Sequence, residues 1–305
     1  LTLLGSNSDI VIQKTIPLTI DGVKELEVFE KGTVVLSAKY LSDIVKKLYD
    51  VIHVKLNENQ SVTIKSNEIV MNLNGLHSGE YPNLPQIDGA AYFNIPSVEL
   101  LEIIKQTAFA VSKSETRPAL TGVNLSIKEN KLTCVATNSH RLALREHVLE
   151  SKLNGSFIIP SKNLNELTKL FNNEADIIHI FITESYIVFK SNNISLFSRL
   201  IEGNYPNVSG LLPKDLKTII TVDTNTLLNG IDRACLFASE WKNNNVRLEI
   251  LDNSKLRISS NSTELGEIEE TQSIKSIRGE AGLSVSLDGS FLLDALKAIK
   301  ENEVK

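Results

Sequence analysis

One polar stretch of the chain carries residue types that could do chemistry. TNSHRLALRE, residues 137–146, sets Ser139, His140 and Arg141 side by side. A serine beside a histidine is the raw material of a nucleophile and its base, so hydrolysis or group transfer is the reaction class to weigh. Neighbours on an extended segment point to opposite faces, however, and such a Ser139–His140 pair would not meet. The same residues also read as a solvated strand-to-loop transition. Elsewhere the chemistry thins out. Five histidines include no H-x-x-x-H or H-E-x-x-H pair, and the two cysteines, Cys134 and Cys235, are far apart, so no metal site is expected. No Gly-rich phosphate loop and no G-x-S-x-G elbow is present, and the carboxylates are scattered. The expectation is no cofactor and no metal.

The elements that would have to position any site follow from pattern. Both cysteines lie in apolar-periodic segments, which favours buried reduced thiols and a cytoplasmic setting over a disulfide. The longest apolar runs, such as IIHIFI at 177–182, are strand-length and too short to span a bilayer. A net charge of −5 argues against a protein that coats nucleic acid through bulk positive charge, but permits a local basic surface.

The turn GEYPN at 79–83 returns as GNYPN at 203–207, and alone this would mean little, since Pro and Asn are ordinary turn residues. Three further echoes share its order. VNLSIKENKLTCVATNS (123–139) and VRLEILDNSKLRISSNS (246–262) both alternate apolar and polar residues on either side of an Asn-containing linker, the pattern of a half-buried hairpin. LTLLGSNSD at residue 1 is a third copy of that hairpin's second strand. Helical stripes recur at Leu41, Ile44, Val45, Leu48; at Leu164, Leu167, Thr168, Phe171; and at Leu292, Ala295, Leu296, Ile299. A fourth echo pairs LLEIIKQTAFAVS (100–112) with LLNGIDRACLFAS (227–239).

Four unlike elements therefore share a period of ~124 residues, which is domain-sized. The fold class that follows is α+β, three tandem copies of one domain with two helices packed on antiparallel sheets. The expected boundaries are 1–90, 91–212 and 213–305. By this arithmetic the first copy lacks its first helix and first hairpin strand, about 40 residues, and the third stops at its second helix.

Three such copies, with TRPALTGVNLSI, ATNSHRLAL and EGNYPN, resemble the bacterial DNA polymerase III beta subunit, the replicative sliding clamp family. The resemblance covers essentially the whole chain. It implies a non-enzymatic homodimeric ring that encircles double-stranded DNA without reading sequence, with helices inward and sheets outward. The implied partners are the clamp loader, the replicative DNA polymerase and other proteins bearing a short clamp-binding motif, with no membrane involved. The helix windows carry a slight positive excess while the chain is acidic overall, which suits a contact that tolerates DNA without gripping it.

Residue by residue, the resemblance places the partner-motif groove at Arg117, Leu120, Thr137, Ser139, His140, Arg141, Leu142, Pro206 and Leu211. Leu120, Leu142, Pro206 and Leu211 would supply an apolar cleft, with Thr137 and Arg141 as orienting polar groups at its rim. Two departures stand out: Asn138-Ser139 where relatives often carry Asp-Gly or Asp-Ser, and Gly210 where they carry Arg. The family's final strand, which completes one wall, would lie beyond Lys305. DNA-facing candidates are Lys39 and Lys162, then Lys46 and Lys105; the third copy has Ser290 at the matching position. Ring closure is expected at an edge strand near 266–272, with Gly266, Ile268 and Gln272, meeting the region around Tyr81. Two rivals stay open: a peptide-binding scaffold without DNA, and a hydrolase or transferase using His140 and Arg141.

Overall fold

The computed structural model describes residues 1–171, 176–213, 215–238, 245–252 and 254–305. In chain order the first copy runs β1 (Thr2–Ser6), β2 (Ile10–Thr15), β3 (Thr19–Ile20), β4 (Val23–Lys24), α1 (Ala38–Val45), β5 (His53–Leu56), β6 (Ser61–Ser66) and β7 (Ile69–Asn74). The second runs β8 (Ala91–Pro96), α2 (Ser97–Thr107), β9 (Gly122–Lys128), β10 (Lys131–Thr137), β11 (Leu142–Val148), β12 (Gly155–Pro160) and α3 (Ser161–Leu170). It continues through β13 (Ile177–Ile182), β14 (Tyr186–Ser191) and β15 (Ile194–Arg199). The third comprises β16 (Ile219–Asp223), α4 (Thr224–Cys235), β17 (Asn245–Asp252), β18 (Lys255–Ser262), β19 (Gly266–Ser273), β20 (Ser276–Arg278), β21 (Ser284–Asp288), α5 (Gly289–Lys297) and β22 (Glu303–Val304).

These elements pack as two compact units. One holds Leu1–Ala90 with Phe181–Ser198; the other holds Ala91–Ile180 with Arg199–Lys305. In the first unit the strand order is β1-β2-β15-β14, beside a three-stranded sheet β5-β6-β7. In the second, the four-stranded sheets β11-β10-β9-β12 and β19-β18-β17-β21 have the same plan.

That plan is set by hairpin register. Ile127 faces Leu132 and Leu125 faces Cys134 across β9 and β10; Ile250 faces Leu256 and Leu248 faces Ile258 across β17 and β18. Glu129 and Asn130 close the first hairpin with φ of 50° and 60°, the positive pair that a two-residue turn between twisted strands requires. Because the side-chain period is two, this register sends Val123, Leu125, Ile127 and Leu132 to one face, and all four are buried. Helix α2 covers that face through Leu100, Ile103 and Ile104, while α4 covers the matching face of the third copy through Leu227 and Ile231.

The turn after the second hairpin strand also recurs in all three copies. Asn7 Oδ1 accepts hydrogen bonds from the backbone N–H of Asp9 and Ile10, at 2.9 and 3.0 Å. Asn138 Oδ1 does the same for His140 and Arg141, both at 3.0 Å. Ser262 Oγ takes the role in the third copy, accepting from Glu264 and Leu265. A short polar side chain that can cap its own turn explains why Asn or Ser stands here each time.

Helices α1, α3 and α5 carry Leu41, Leu164 and Leu292 at the same fourth position. Their burial differs: Leu164 is 2% exposed, whereas Leu41 and Leu292 are half-buried and α1 has no buried residue. The expected stripes shorten accordingly, since Leu48 lies past the end of α1 and Val45 is 41% exposed. Of the fourth echo, Ser239 lies outside the described residues. Cys134 is buried as expected, but Cys235 is only half-buried at the end of α4; neither forms a disulfide.

Two outcomes follow. Leu164→Ala is expected to lower unfolding stability by ~2–5 kcal/mol, and Leu41→Ala by about 1 kcal/mol, because only the first leaves a closed cavity. Urea denaturation checks this, and equal losses would contradict it. Burial pushes the Cys134 thiol up to about 12, so at pH 8 it stays protonated and a thiol reagent should label it only after unfolding.

Candidate functional site

Of the residues expected to form the partner groove, Thr137, Ser139, His140, Arg141 and Leu142 meet at the end of β10. Thr137 is its last residue and pairs in register with Leu142, the first residue of β11. Between them, residues 138–141 make a tight turn, which fits the strand-to-loop reading rather than the extended one, and Ser139 sits at φ 77°. The side chains of Thr137 and Asn138 build that turn. Thr137 Oγ1 donates to the Arg141 carbonyl at 2.7 Å and accepts from the Ser139 N–H at 3.1 Å. Asn138 caps it as above. Thr137 is therefore structural at the rim, and Ser139 and His140 are left exposed at the apex.

The second Tyr-Pro-Asn turn reaches the same strand end. The Thr137 N–H donates to the Tyr205 hydroxyl at 3.0 Å, which brings the chain at Pro206 alongside the Thr137–Leu142 pair. In the first unit, the Tyr81 hydroxyl donates to the Leu4 carbonyl on β1 at 3.3 Å. Since β1 is the counterpart of β10, both Tyr-Pro-Asn turns are tethers to the second hairpin strand. Burial pushes the Tyr205 phenol up to about 12, partly offset by the Thr137 hydrogen bond it accepts.

The apolar candidates are unevenly placed. Leu120 is 3% exposed and held in a short helical turn by its N–H to the Arg117 carbonyl, so it is core rather than groove surface. Leu142 is half-buried, Pro206 exposed, and Leu211 67% exposed. Arg117 itself is exposed.

Arg141 departs most from expectation. Rather than a free group at the rim, its guanidinium is clasped from several sides, and the side chain is only 14% exposed. Nη1 donates to Asp294 Oδ2 on α5 at 2.7 Å, and Nη2 to the Phe109 carbonyl just past α2 at 2.6 Å. The guanidinium lies over the Phe291 ring at 4.4 Å and the Phe109 ring at 5.4 Å from the centroids, a stacked cation–π arrangement that lysine would not reproduce. Among the described residues its buried Nε has no hydrogen-bond partner. Neither Asp294 nor the two phenylalanines was legible as part of this site, because the contact joins segments far apart in sequence. This clasp also leaves Arg141 unavailable as a catalytic cation beside His140.

The DNA-facing candidates are distributed over both units. Lys39 and Lys162 occupy the second position of α1 and α3, and Ser290 that of α5. Lys39, Lys46, Lys105 and Lys162 are all exposed, and among the described residues no carboxylate pairs with any of them. By contrast Lys300 is held by Glu102 at 2.7 Å, and that hydrogen bond keeps the Glu102 carboxyl below its usual range.

The edge-strand candidates divide by face. β19 bonds β18 and ends its sheet, so its outer edge is open. Gly266 is exposed, with φ 106°, and Ile268 is half-buried. Gln272 is 7% exposed and turned inward, donating to the Thr226 carbonyl on α4 at 2.8 Å, which corrects its expected place at an interface. Alternation from Ile268 through Glu270 to Gln272 already predicts that inward face. Among the described residues no group of three His, Cys, Asp or Glu could hold a metal, and no helix is long and apolar enough to cross a membrane.

Replacing Tyr205 by Phe removes the acceptor for the Thr137 N–H, and should cost about 1–3 kcal/mol of stability if no water takes its place. Because the folded-state phenol is raised, its share of stability is complete below pH 10 and is lost as pH rises toward 12. The wild-type stability curve should therefore fall more steeply than that of Tyr205→Phe over this range in urea titrations. Parallel curves would remove Tyr205 as a tether.

Comparison with known proteins agrees with the repeat. Family models of the DNA polymerase III beta subunit match in order: the N-terminal domain over residues 1–85, the central domain over 94–207 and the C-terminal domain over 209–305. The beta sliding clamp of Bacillus subtilis is 43% identical over 305 residues, 99% of this chain and 80% of the relative. That of Staphylococcus aureus is 40% identical with the same coverage. The crystal structure of the Bacillus subtilis sliding clamp superposes with a TM-score of 0.95 at 41% identity, covering 99% of this chain and 80% of that one. With three copies of one domain in the family's order, this chain belongs to the DNA polymerase III beta subunit family of sliding clamps.

Proposed function

We propose that the protein is a processivity clamp: two copies close head to tail into a ring around duplex DNA, in the cytoplasm, and tether the replicative polymerase without chemistry of their own. The observation that carries this reading is the three-fold recurrence of one domain, with helices α1, α3 and α5 presenting matched second positions. Domain boundaries at 1–90, 91–212 and 213–305 accord with the turns at 81–83 and 205–207 closing the first two copies. On this reading Lys39, Lys46, Lys105 and Lys162 face DNA, unpaired by carboxylates and able to exchange phosphate contacts. A few cations in an acidic chain attract DNA weakly and without sequence preference, while the closed ring provides retention.

Partner binding is assigned to the surface around the 138–141 turn, with His140, Leu142, Pro206 and Leu211 as its exposed face. The clamp loader and polymerases would dock a short apolar motif there. Burying one apolar side chain contributes about 1.5–3 kcal/mol, a large share of a micromolar affinity. The open edge of β19, from Gly266 through Ile268, is proposed as the third domain's side of the ring contact, with the first domain near Tyr81 as the other. The stretch is acidic, but Glu270 is paired with Arg233 at 2.6 Å, and Glu269 lies 3.4 Å from Arg257, an arginine it shares with Glu249. This lowers the electrostatic cost of strand addition.

The test is topological. After loading, the protein should be retained on nicked circular DNA during gel filtration and lost once the circle is cut; equal loss from both forms would refute the ring. Lys39→Glu with Lys162→Glu should reduce loading, and flatten the salt dependence of DNA association by about one unit of slope or less per lost contact. Leu142→Ala with Leu211→Ala should abolish clamp-loader and polymerase-tail binding while leaving the domains folded.

A further inference from the structure

We infer that Asp294, on α5 of the third copy, is a positioning residue for the partner site: through Arg141 it fixes the 138–141 turn that the partner motif would meet. The inference rests on the partner-site reading above and extends it to a residue on a different domain copy.

Arg141 closes the turn with its backbone and anchors it with its side chain. Its N–H donates to Asn138 Oδ1 and its carbonyl accepts from Thr137 Oγ1, so the turn cannot rotate without moving Arg141. The guanidinium is in turn fixed at two points, Asp294 Oδ2 at 2.7 Å and the Phe109 carbonyl at 2.6 Å, with Phe291 beneath it at 4.4 Å. Of these holds only Asp294 is charged, and a charge-assisted bond to a mostly buried arginine is stronger and more directional than a neutral one. Phe291, three residues before Asp294, also has its ring 6.5 Å from that of His140 at 30°, so the same helix contacts the apex of the turn. A second ion pair, Glu102 with Lys300 at 2.7 Å, joins α2 to the segment after α5, and the other oxygen of Glu102 accepts from Gln106 on its own helix. It provides the control: a bridge between the same two copies with no lever on the site.

The experiment compares Asp294→Asn, Asp294→Glu and Glu102→Gln with wild type in the full protein. Binding of a fluorescent synthetic peptide copying a replicative polymerase tail is read by anisotropy, thermal stability by scanning fluorimetry, and the Ser139, His140 and Arg141 amides by two-dimensional NMR. Asp294→Asn should weaken peptide binding about tenfold and shift or broaden the turn amides, as expected for losing a charged partner of a mostly buried group. Asp294→Glu should restore most of the affinity, and Glu102→Gln should leave binding and the turn amides unchanged. The inference is overturned if Asp294→Asn binds like wild type with undisturbed turn amides, or if Glu102→Gln weakens binding as much. If wild type itself does not bind the peptide, the partner-site reading falls, and the turn amides still decide whether Asp294 positions the turn.

Discussion

The register of one hairpin governs most of this molecule. With Ile127 opposite Leu132 in one copy and Ile250 opposite Leu256 in another, a single apolar face is generated, and a helix must cover it. A one-residue slip would turn those side chains to solvent and leave α2 and α4 without a surface to pack on. The capped turn at Asn7, Asn138 or Ser262 follows directly from where the second strand ends. The Tyr81 and Tyr205 tethers reach that strand from the end of their own domain copies. Strand and capped turn recur in all three copies, and the tether in the first two.

Local change is where function enters. In the second copy the turn holds Arg141, whose guanidinium reaches α5; the first copy has Ile10 at the matching place, a residue with no charge to anchor. The shared scaffold thus fixes a turn in every copy, but only in the second does a charged side chain tie it to another copy. The same logic applies to the helices. α1 and α3 begin with an exposed lysine at the second position, and α5 with Ser290, so the basic character is graded between copies.

Much of this was legible in the sequence because it depends on short-range pattern. Period-two alternation marked both hairpins, the 3.6-residue stripes marked α1, α3 and α5, and the repeated Tyr-Pro-Asn turn marked the domain ends. What escaped depends on long-range contact or on a single dihedral. Asn138 bends the 138–141 segment by capping two N–H groups, a signal that the matching SNSD at 6–9 also carries. Nothing local to Arg141 shows that Asp294, 153 positions away, meets it. Gln272 lies under α4, where its alternation with Ile268 points it. Leu41 followed the right stripe but is only half-buried, since periodicity reports which face is apolar and not how much packs against it.

The central claim is that this chain is half of a closed ring, and the solution mass of the protein addresses it most directly. Light scattering coupled to size exclusion, run over a range of concentrations, should give twice the mass of one chain at the upper end, with dissociation on dilution if the β19 edge is a weak contact. A single-chain mass at every concentration would contradict the account.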